Sequence, residues 1–404
     1  MKIYAQQGFG EGDKISLGFK NDFIDGVIYS PRHTRKDTLV AKLDEYTREY
    51  PEKERLFDPQ FYATLYAGEE DWRMGYLEDD YVDYFKSQQK SVLERENKTI
   101  ECIEKTLRFQ QTLKVTGIIA PNIIIPRSFD SREAVISKNF IRNAAEVYAK
   151  LKDKRPLFAT LAVSYQALSD RAAFEEFLNE ITALDTPPDG FYVLISTSAP
   201  DANQEFFNAT TIAGWMMLNY SLGLNGFKVI NGYSDVLAPL LLSVGGYGGA
   251  TGWFANLRNF SLASFQPPDG GRRPLVKYLS NSLLSRITVP ELDQLRELVP
   301  QVLNKLGTDS YYSADNASTP QNVSHEVLQT WETIKAFTSR SASKNMPDRL
   351  RDCRAAIRNA RNIYAAINKT PIQIQAGMEH IEEMDEAIDL FVKRAGLATL
   401  DGPR

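Results

Sequence analysis

Short runs of branched and aromatic residues recur along the chain, and most of them are followed by a longer segment with apolar residues at helical spacing. After the run at 26–32, for example, Leu39, Leu43 and Tyr46 recur at positions i, i+4 and i+7, which is the spacing of one helix face. The pattern predicts eight strands, at residues 26–32, 55–63, 115–127, 156–165, 189–198, 225–232, 248–257 and 274–280.

The alternation of these runs with amphipathic segments indicates parallel strands joined by helical crossovers. The runs are apolar along their length, as expected for strands covered on both faces. Eight such units favour a closed barrel over the alternative, an open doubly wound sheet. The predicted fold class is therefore α/β, a (β/α)8 TIM-type barrel with a C-terminal helical extension.

Three regions follow from the same pattern. We predict a barrel over 1–306, in which residues 1–20 form a hairpin or extended segment that covers one end. A polar linker rich in Ser, Asn and Asp spans 307–322, and a helical extension spans 323–404. The insertion after the second strand is expected to lead into a long helix over 81–114.

Composition restricts the class of protein. Hydrophobic residues make up 43% and charged residues 25% of the 404 residues, a balance typical of globular proteins. The formal charge of −5 argues against nucleic-acid binding over the whole surface, although a local basic cleft stays open. With two cysteines, no signal-peptide pattern and no long apolar run, we expect a cytoplasmic protein without a membrane partner.

Two carboxylates are candidate catalytic groups, because barrel active sites lie just past the carboxyl ends of the strands. Asp58 directly follows the apolar pair Leu56-Phe57 and precedes Pro59. A carboxylate there could act as a base, a nucleophile or a metal ligand, with a pKa raised by apolar neighbours. Alternatively, Asp58 bonds backbone N–H groups of the following turn. Asp235 is the second candidate, and Ser234-Asp235 also fits a helix N-cap.

Arginines near several predicted strand ends suggest an anion site, since a guanidinium binds carboxylate or phosphate in a bidentate geometry. Arg32, Arg127 and Arg258 follow the first, third and seventh runs, and Arg272 with Arg273 precedes the eighth. The alternative is that each arginine pairs with a nearby acid. The full predicted substrate-binding set is Arg32, Gln60, Arg127, Asn231, Gly245, Gly246, Gly248, Gly249, Trp253 and Arg258.

The glycines of that set belong to a Gly-rich run at 243–252. Backbone N–H groups of late barrel loops often bind phosphate, and glycine allows the close approach. The run matches neither the P-loop nor the dinucleotide fingerprint, and a tight connection explains it equally well. The three histidines, His33, His325 and His380, are far apart, which disfavours a zinc site or a Ser-His-Asp triad. We therefore expect no cofactor and no metal.

Two functions from different classes remain. The first is a barrel enzyme that acts on an anionic, phosphorylated or nucleotide-like substrate, by hydrolysis or glycosyl transfer driven by carboxylates. The second is a non-catalytic barrel subunit whose basic helix, with arginines at 349, 351, 354, 358 and 361, docks an acidic protein partner or a second copy of the chain. The acidic net charge disfavours nucleic acid as the partner.

Overall fold

A nearly closed barrel of parallel strands forms the centre of the molecule, in a computed structural model that describes residues 1–267, 275–313 and 322–398. The strand order is β3-β2-β1-β9-β8-β7-β6-β4, with β5 beside β6. Between β3 and β4 the Thr116 amide donates to the Arg55 carbonyl at 2.8 Å. The strands are β1 (Lys2–Gln6), β2 (Gly26–Tyr29), β3 (Glu54–Phe57), β4 (Ile118–Ala120), β5 (Ile124–Ile125), β6 (Leu157–Ser164), β7 (Gly190–Ser196), β8 (Lys228–Asn231) and β9 (Gly248–Thr251).

Helices surround this sheet. Seven of them pack in a row around the sheet, in the order α4, α5, α6, α8, α9, α11 and α1, and each is in contact with the next. The helices are α1 (Lys14–Lys20), α2 (Lys36–Glu49), α3 (Lys90–Leu93), α4 (Glu96–Gln111), α5 (Arg132–Leu151), α6 (Arg171–Thr182), α7 (Asn203–Phe206), α8 (Ala209–Leu224), α9 (Ala238–Ser243), α10 (Val289–Leu298), α11 (Val323–Ser341), α12 (Met346–Ile367) and α13 (Glu379–Arg394).

The predicted barrel is confirmed, because β4 and β5 together occupy one of its eight strand positions. The first and the last predicted strands were assigned wrongly. Residues 1–20 do not form a covering segment: they contain β1, which lies between β2 and β9, and α1. The predicted eighth strand at 274–280 is not in the barrel. Its described part forms β10 (Lys277–Ser280), which pairs antiparallel with β11 (Ser285–Thr288) in a separate sheet.

The eighth barrel strand is instead β9, whose glycines fit close packing. A Cβ atom on Gly248 would collide with Cε2 of Tyr4, and one on Gly249 would lie 2.6 Å from Cβ of Ala238. Neither position has room for a side chain. The strand, which lies within the predicted seventh run at 248–257, therefore has no Val, Ile or aromatic residue of the kind that usually indicates a buried strand.

The predicted helix over 81–114 is also shorter than expected, and it is divided into α3 and α4. The Tyr81 and Tyr84 hydroxyls donate to the carbonyls of Thr34 and Pro59. Both rings pack against Phe57, within 5.9 and 6.2 Å between centroids. These contacts hold residues 81–84 in turns, so the aromatic residues of the insertion cover their own barrel.

The C-terminal helices are present as predicted, and the first of them completes the barrel. Trp331 of α11 is fully buried, and its Nε1 donates to the Thr251 carbonyl at 3.1 Å. Because α11 packs against α1, α9 and β1, it serves as the eighth barrel helix. Helices α12 and α13 then cover α9 and α8.

Parts of the predicted regions fall outside the described residues. Residues 314–321 of the predicted linker do so, as do Arg272 and Arg273. Residues Gly307–Tyr312, at the start of that linker, form a 3-10 helix. In the described part of the chain, no helix has the length and apolar character needed to cross a bilayer.

Candidate functional site

Asp58 lies at the carboxyl end of β3 and is fully buried. Its Oδ1 accepts from the Gln60 amide at 2.9 Å, and its Oδ2 accepts from the Tyr62 hydroxyl at 2.8 Å. Burial raises the pKa of this carboxyl group from 3.8 to about 6, and these hydrogen bonds oppose the rise. One oxygen of Asp58 therefore organises the following turn, and the other faces hydroxyl groups.

Tyrosines from distant parts of the chain surround this carboxylate. The Tyr192 hydroxyl lies 3.4 Å from both Oδ2 of Asp58 and Oε1 of Gln6. Tyr233, in the turn after β8, is within range of the Asp58 charge. Gln6 is fully buried, and its Nε2 has no hydrogen-bond partner in the described part of the chain. We call the cluster of buried side chains formed by Asp58, Tyr62, Tyr192, Tyr233 and Gln6 the lumen chamber.

Arg32 borders the lumen chamber. Its charge interacts with Tyr62 and Tyr233, and burial lowers the pKa of the guanidinium to about 10. Nε donates to the Arg73 carbonyl at 3.0 Å, and Nη1 donates to the Ser264 carbonyl at 2.6 Å. No ion pair found among the described residues includes Arg32. This arginine therefore combines a positive charge with neutral partners, which suits the binding of an anion.

Gln60 supports that arrangement through its backbone and side chain. It has a φ angle of 50°, and its Oε1 accepts from the Arg32 amide at 3.0 Å. The side-chain oxygen of Gln60, which was predicted to bind substrate, is thus occupied by a contact within the protein. The lumen chamber and its border bring together three predicted residues, Asp58, Arg32 and Gln60.

A second group of predicted residues lines a separate cavity of about 1210 Å³. Asp235, Trp253 and Arg258 belong to it, together with Arg286 of β11 and Glu326 of α11. We call this space the rim cavity, because loops after β7, β8 and β9 form one side of it. The β10–β11 hairpin and residues 375–383 form the other side.

Both charged candidates in the rim cavity are paired. The carboxylate of Asp235 accepts from Arg286 at 2.5 and 2.7 Å and from Thr251 Oγ1 at 2.6 Å. Burial alone would raise the pKa of Asp235. The positive charge of Arg286 and its two hydrogen bonds outweigh burial, so the pKa is lowered. Arg258 donates to Glu326 at 2.7 Å. Asp235 therefore forms a fixed ion pair rather than a helix cap, and it is not available as a second proton-transferring carboxylate.

The remaining predicted residues lie elsewhere. Arg127 is exposed. The Asn231 amide bonds Trp215 and Asn219 of α8, so it faces the helices and not the mouth. The Gly-rich run begins before β9, which places Gly245 and Gly246 near the amino ends of the strands, opposite the expected phosphate site. Gly248 and Gly249 lie within β9 itself. The structure thus does not bring Asp58, Arg127, Asn231 and Arg258 to one cavity.

Sequence reasoning missed Gln6, Tyr62, Tyr192 and Tyr233 in the lumen chamber, and Arg286 and Glu326 in the rim cavity. Gln6 follows the apolar segment Ile3-Tyr4-Ala5 and would have been found if β1 had been identified. Tyr233 has a φ angle of 55°, and no neighbouring residue in the sequence indicates this conformation. Arg286 reaches Asp235 across 51 positions of sequence.

Comparison with known proteins adds no name to these sites. No protein-family model, no curated protein and no solved structure matches the chain. Within the described residues, no three His, Cys, Asp or Glu side chains come together as a metal-binding group.

Proposed function

We propose that this protein is a barrel enzyme in which Asp58 drives hydrolysis or glycosyl transfer on an anionic, phosphorylated or nucleotide-like substrate. The observation that supports it is a fully buried carboxylate at a strand end, with a pKa of about 6. A group with that pKa exchanges protons near neutral pH, as a general base or acid must. Desolvation also leaves its ionised form more reactive as a nucleophile.

The neighbours of Asp58 divide the remaining work. The Tyr62 hydroxyl donates to Oδ2 and keeps the carboxylate in one orientation. Tyr192 is within 3.4 Å of the same oxygen and can pass a proton to or from a reacting group. Arg32 supplies the positive charge for an anionic part of the substrate, and Nε2 of Gln6, which has no partner among the described residues, offers a further donor.

One carboxylate carries the chemistry in this proposal. Asp235 is held by Arg286, so a pair of free carboxylates across a glycosidic bond is not available from the predicted residues. A tyrosine hydroxyl takes the second role. Arg258 likewise contributes no anion binding, because Glu326 neutralises it.

The partner-docking alternative stays a prediction, and no specific contact favours it. Arg354 and Arg361 of α12 pair with acids of α13, including Asp385 and Glu382. Arg351 pairs with Asp348 of its own helix. Much of the basic face proposed for docking therefore stabilises the helical extension itself.

The test is turnover by the Asp58→Asn variant. Wild-type protein would be incubated with a panel of sugar phosphates, nucleosides and nucleotides, and consumption would be followed by mass spectrometry. Loss of a general acid or base lowers rates by about 10²- to 10⁴-fold, so Asp58→Asn should abolish any turnover found. Arg32→Gln should raise KM for anionic substrates more than it lowers kcat.

A matched control is Asp309→Asn. Asp309 also accepts from a tyrosine, Tyr278, and from a backbone amide, but it lies outside the barrel. It should retain full turnover. Equal activity of wild type and Asp58→Asn would rule out the proposed role of the carboxylate.

A further inference from the structure

The turn after β8, at residues 232–235, has a backbone conformation that side chains rarely adopt. Tyr233 and Asp235 have φ angles of 55° and 42°. Both values lie in the left-handed region, which is costly for a residue with a Cβ atom and is kept only where surrounding contacts enforce it. Tyr233 is the only aromatic residue with a positive φ angle among the described residues. The contacts that hold this turn therefore decide where the Tyr233 ring lies.

The strands on both sides of β8 hold the backbone of the turn. The Gly232 amide donates to the Val193 carbonyl of β7 at 2.9 Å. The Ser234 amide donates to the Ala250 carbonyl of β9 at 2.9 Å, and the Ser234 hydroxyl accepts from the Ala250 amide at 3.2 Å. These bonds fix the two residues that flank Tyr233 in the chain.

The last residue of the turn is held from outside the barrel. Arg286 of the β10–β11 hairpin donates to both carboxylate oxygens of Asp235, at 2.5 and 2.7 Å. Thr251, at the end of β9, adds a third bond at 2.6 Å. The side chains of Arg286 and Asp235 are only 13% and 7% exposed, so salt screens this pair little. The pair thus connects the strained turn to a hairpin that is separate from the barrel sheet.

Two tyrosines of the lumen chamber depend on this turn. A Cβ atom on Gly232 would lie 2.8 Å from the Tyr192 hydroxyl oxygen, so that hydroxyl group packs directly on the turn. The Tyr233 ring lies 5.4 Å from the ring of Phe260, which also contacts the Tyr62 ring at 5.0 Å. The hydroxyl groups of Tyr62 and Tyr192 lie against the carboxylate of the lumen chamber. A shift of the turn would therefore disturb the groups that surround this carboxylate.

We propose that the Asp235–Arg286 pair is a positioning device for the chemistry at Asp58. The pair keeps the turn after β8 in its strained conformation, and the turn keeps Tyr192 and Tyr233 in place around the carboxylate. Its effect on turnover rests on the proposed function of Asp58, whereas its hold on the turn can be measured without a substrate. The β10–β11 hairpin thus supports the site, although it contributes no side chain to the lumen chamber.

The first test separates positioning from stability. The double variant Asp235→Asn, Arg286→Met removes the ion pair without leaving a buried charge, so it should stay folded. Its kcat on any substrate that the wild type turns over should fall about tenfold or more, because small displacements of catalytic groups can cost about 10²-fold in rate. KM for an anionic substrate should change less than about threefold, since Arg32 bonds carbonyl groups of other loops. Wild-type kcat in the double variant would overturn the proposal.

The matched control is the double variant Arg258→Met, Glu326→Gln. This ion pair lines the same rim cavity and is buried to the same degree, with side chains 15% and 7% exposed. Among the described residues, neither partner forms a hydrogen bond with residues 232–235. The control should keep the kcat of the wild type. An equal loss of kcat in the control would show that any buried pair of the cavity has this effect, and the specific role of the Asp235–Arg286 pair would fail.

A second test needs no substrate. Hydrogen exchange followed by mass spectrometry reports local opening of the turn through the amides of Gly232 and Ser234. In the variant Asp235→Asn, Arg286→Met, peptides that cover residues 232–235 should exchange about tenfold faster than in the wild type, because the strained turn loses a restraint. The control variant should exchange like the wild type. Unchanged exchange in the first variant would refute the hold on the turn. If the wild type turns over no substrate, the proposed function fails, and exchange alone decides the positioning role.

Discussion

Replacing Asp58 with asparagine should change how the stability of the protein depends on pH. The native pKa of this carboxyl group is raised from 3.8 to about 6 by burial, so the folded state binds its proton more strongly than the unfolded state. The corresponding stabilisation is fully present below the unfolded pKa and is lost as the pH rises through the folded pKa. The asparagine side chain has a similar shape and cannot ionise.

The size of the effect follows from the two pKa values. The full difference corresponds to about 3 kcal/mol. About half of this loss, roughly 1.4 kcal/mol, occurs between about pH 5 and about pH 8. Over that interval the free energy of unfolding of Asp58→Asn should therefore rise by roughly 1.4 kcal/mol relative to that of the wild type. The Tyr62 hydroxyl can turn to accept from the new amide, so the variant should remain folded.

Urea denaturation at about pH 5, 6.5 and 8 measures the difference directly. Asp235→Asn is the control of opposite sign: its native pKa is lowered by Arg286, so Asp235 stays ionised across this interval. It should be less stable than the wild type by a constant amount. Parallel curves for the wild type and Asp58→Asn would refute a raised pKa at Asp58, and with it the main support for catalysis there.

Three further substitutions test the packing. Arg286→Met leaves the buried Asp235 carboxylate without its charged partner and should lower the free energy of unfolding by about 3–5 kcal/mol. The double variant with Asp235→Asn should recover much of this loss, and no recovery would contradict the pairing. If α11 is part of the barrel, Trp331→Ala should lower the free energy of unfolding, measured by calorimetry or urea denaturation, by about 3–5 kcal/mol. Val135→Ala, at a 52% exposed position, should leave it nearly unchanged. Asn231→Leu should destabilise the protein through lost hydrogen bonds without changing any turnover; a selective loss of activity would return Asn231 to the site.

The architecture and the position of Asp58 at a strand end could be predicted because their signals are local. An apolar pair, an acid and a proline in succession predict a strand end whatever the rest of the chain does. The strand β1 has only five residues and gave no clear period. The glycines of β9 were interpreted as a phosphate-binding loop. The contact that explains Gly248, the ring of Tyr4, comes from about 240 positions away and leaves no local signal.

The roles of the charged residues depended on partners that local patterns do not contain. The sequence around Arg258 contains no sign of its acidic partner, because that partner, Glu326, lies 68 positions later in the chain. The same pattern, an arginine after a predicted strand, predicted anion binding by Arg32. Arg32 donates to neutral carbonyl groups, whereas Arg258 pairs with an acid. Which arginine is neutralised is decided by tertiary packing, and tertiary packing also decides which side of Asn231 faces the barrel.

The position of α11 affects how the chain is made as well as how it packs. Strand β1 needs β9 as a neighbour, and the groove beside Gly18 and Ile24 is covered by Trp331, about three hundred residues further on. At a synthesis rate of about 5–20 residues per second, tens of seconds therefore pass between the synthesis of β1 and the synthesis of β9 and α11. The apolar surface of β1 is open to other chains throughout that interval. A ribosome-bound or truncated chain that ends before α11 should consequently depend on chaperones more strongly than the finished protein.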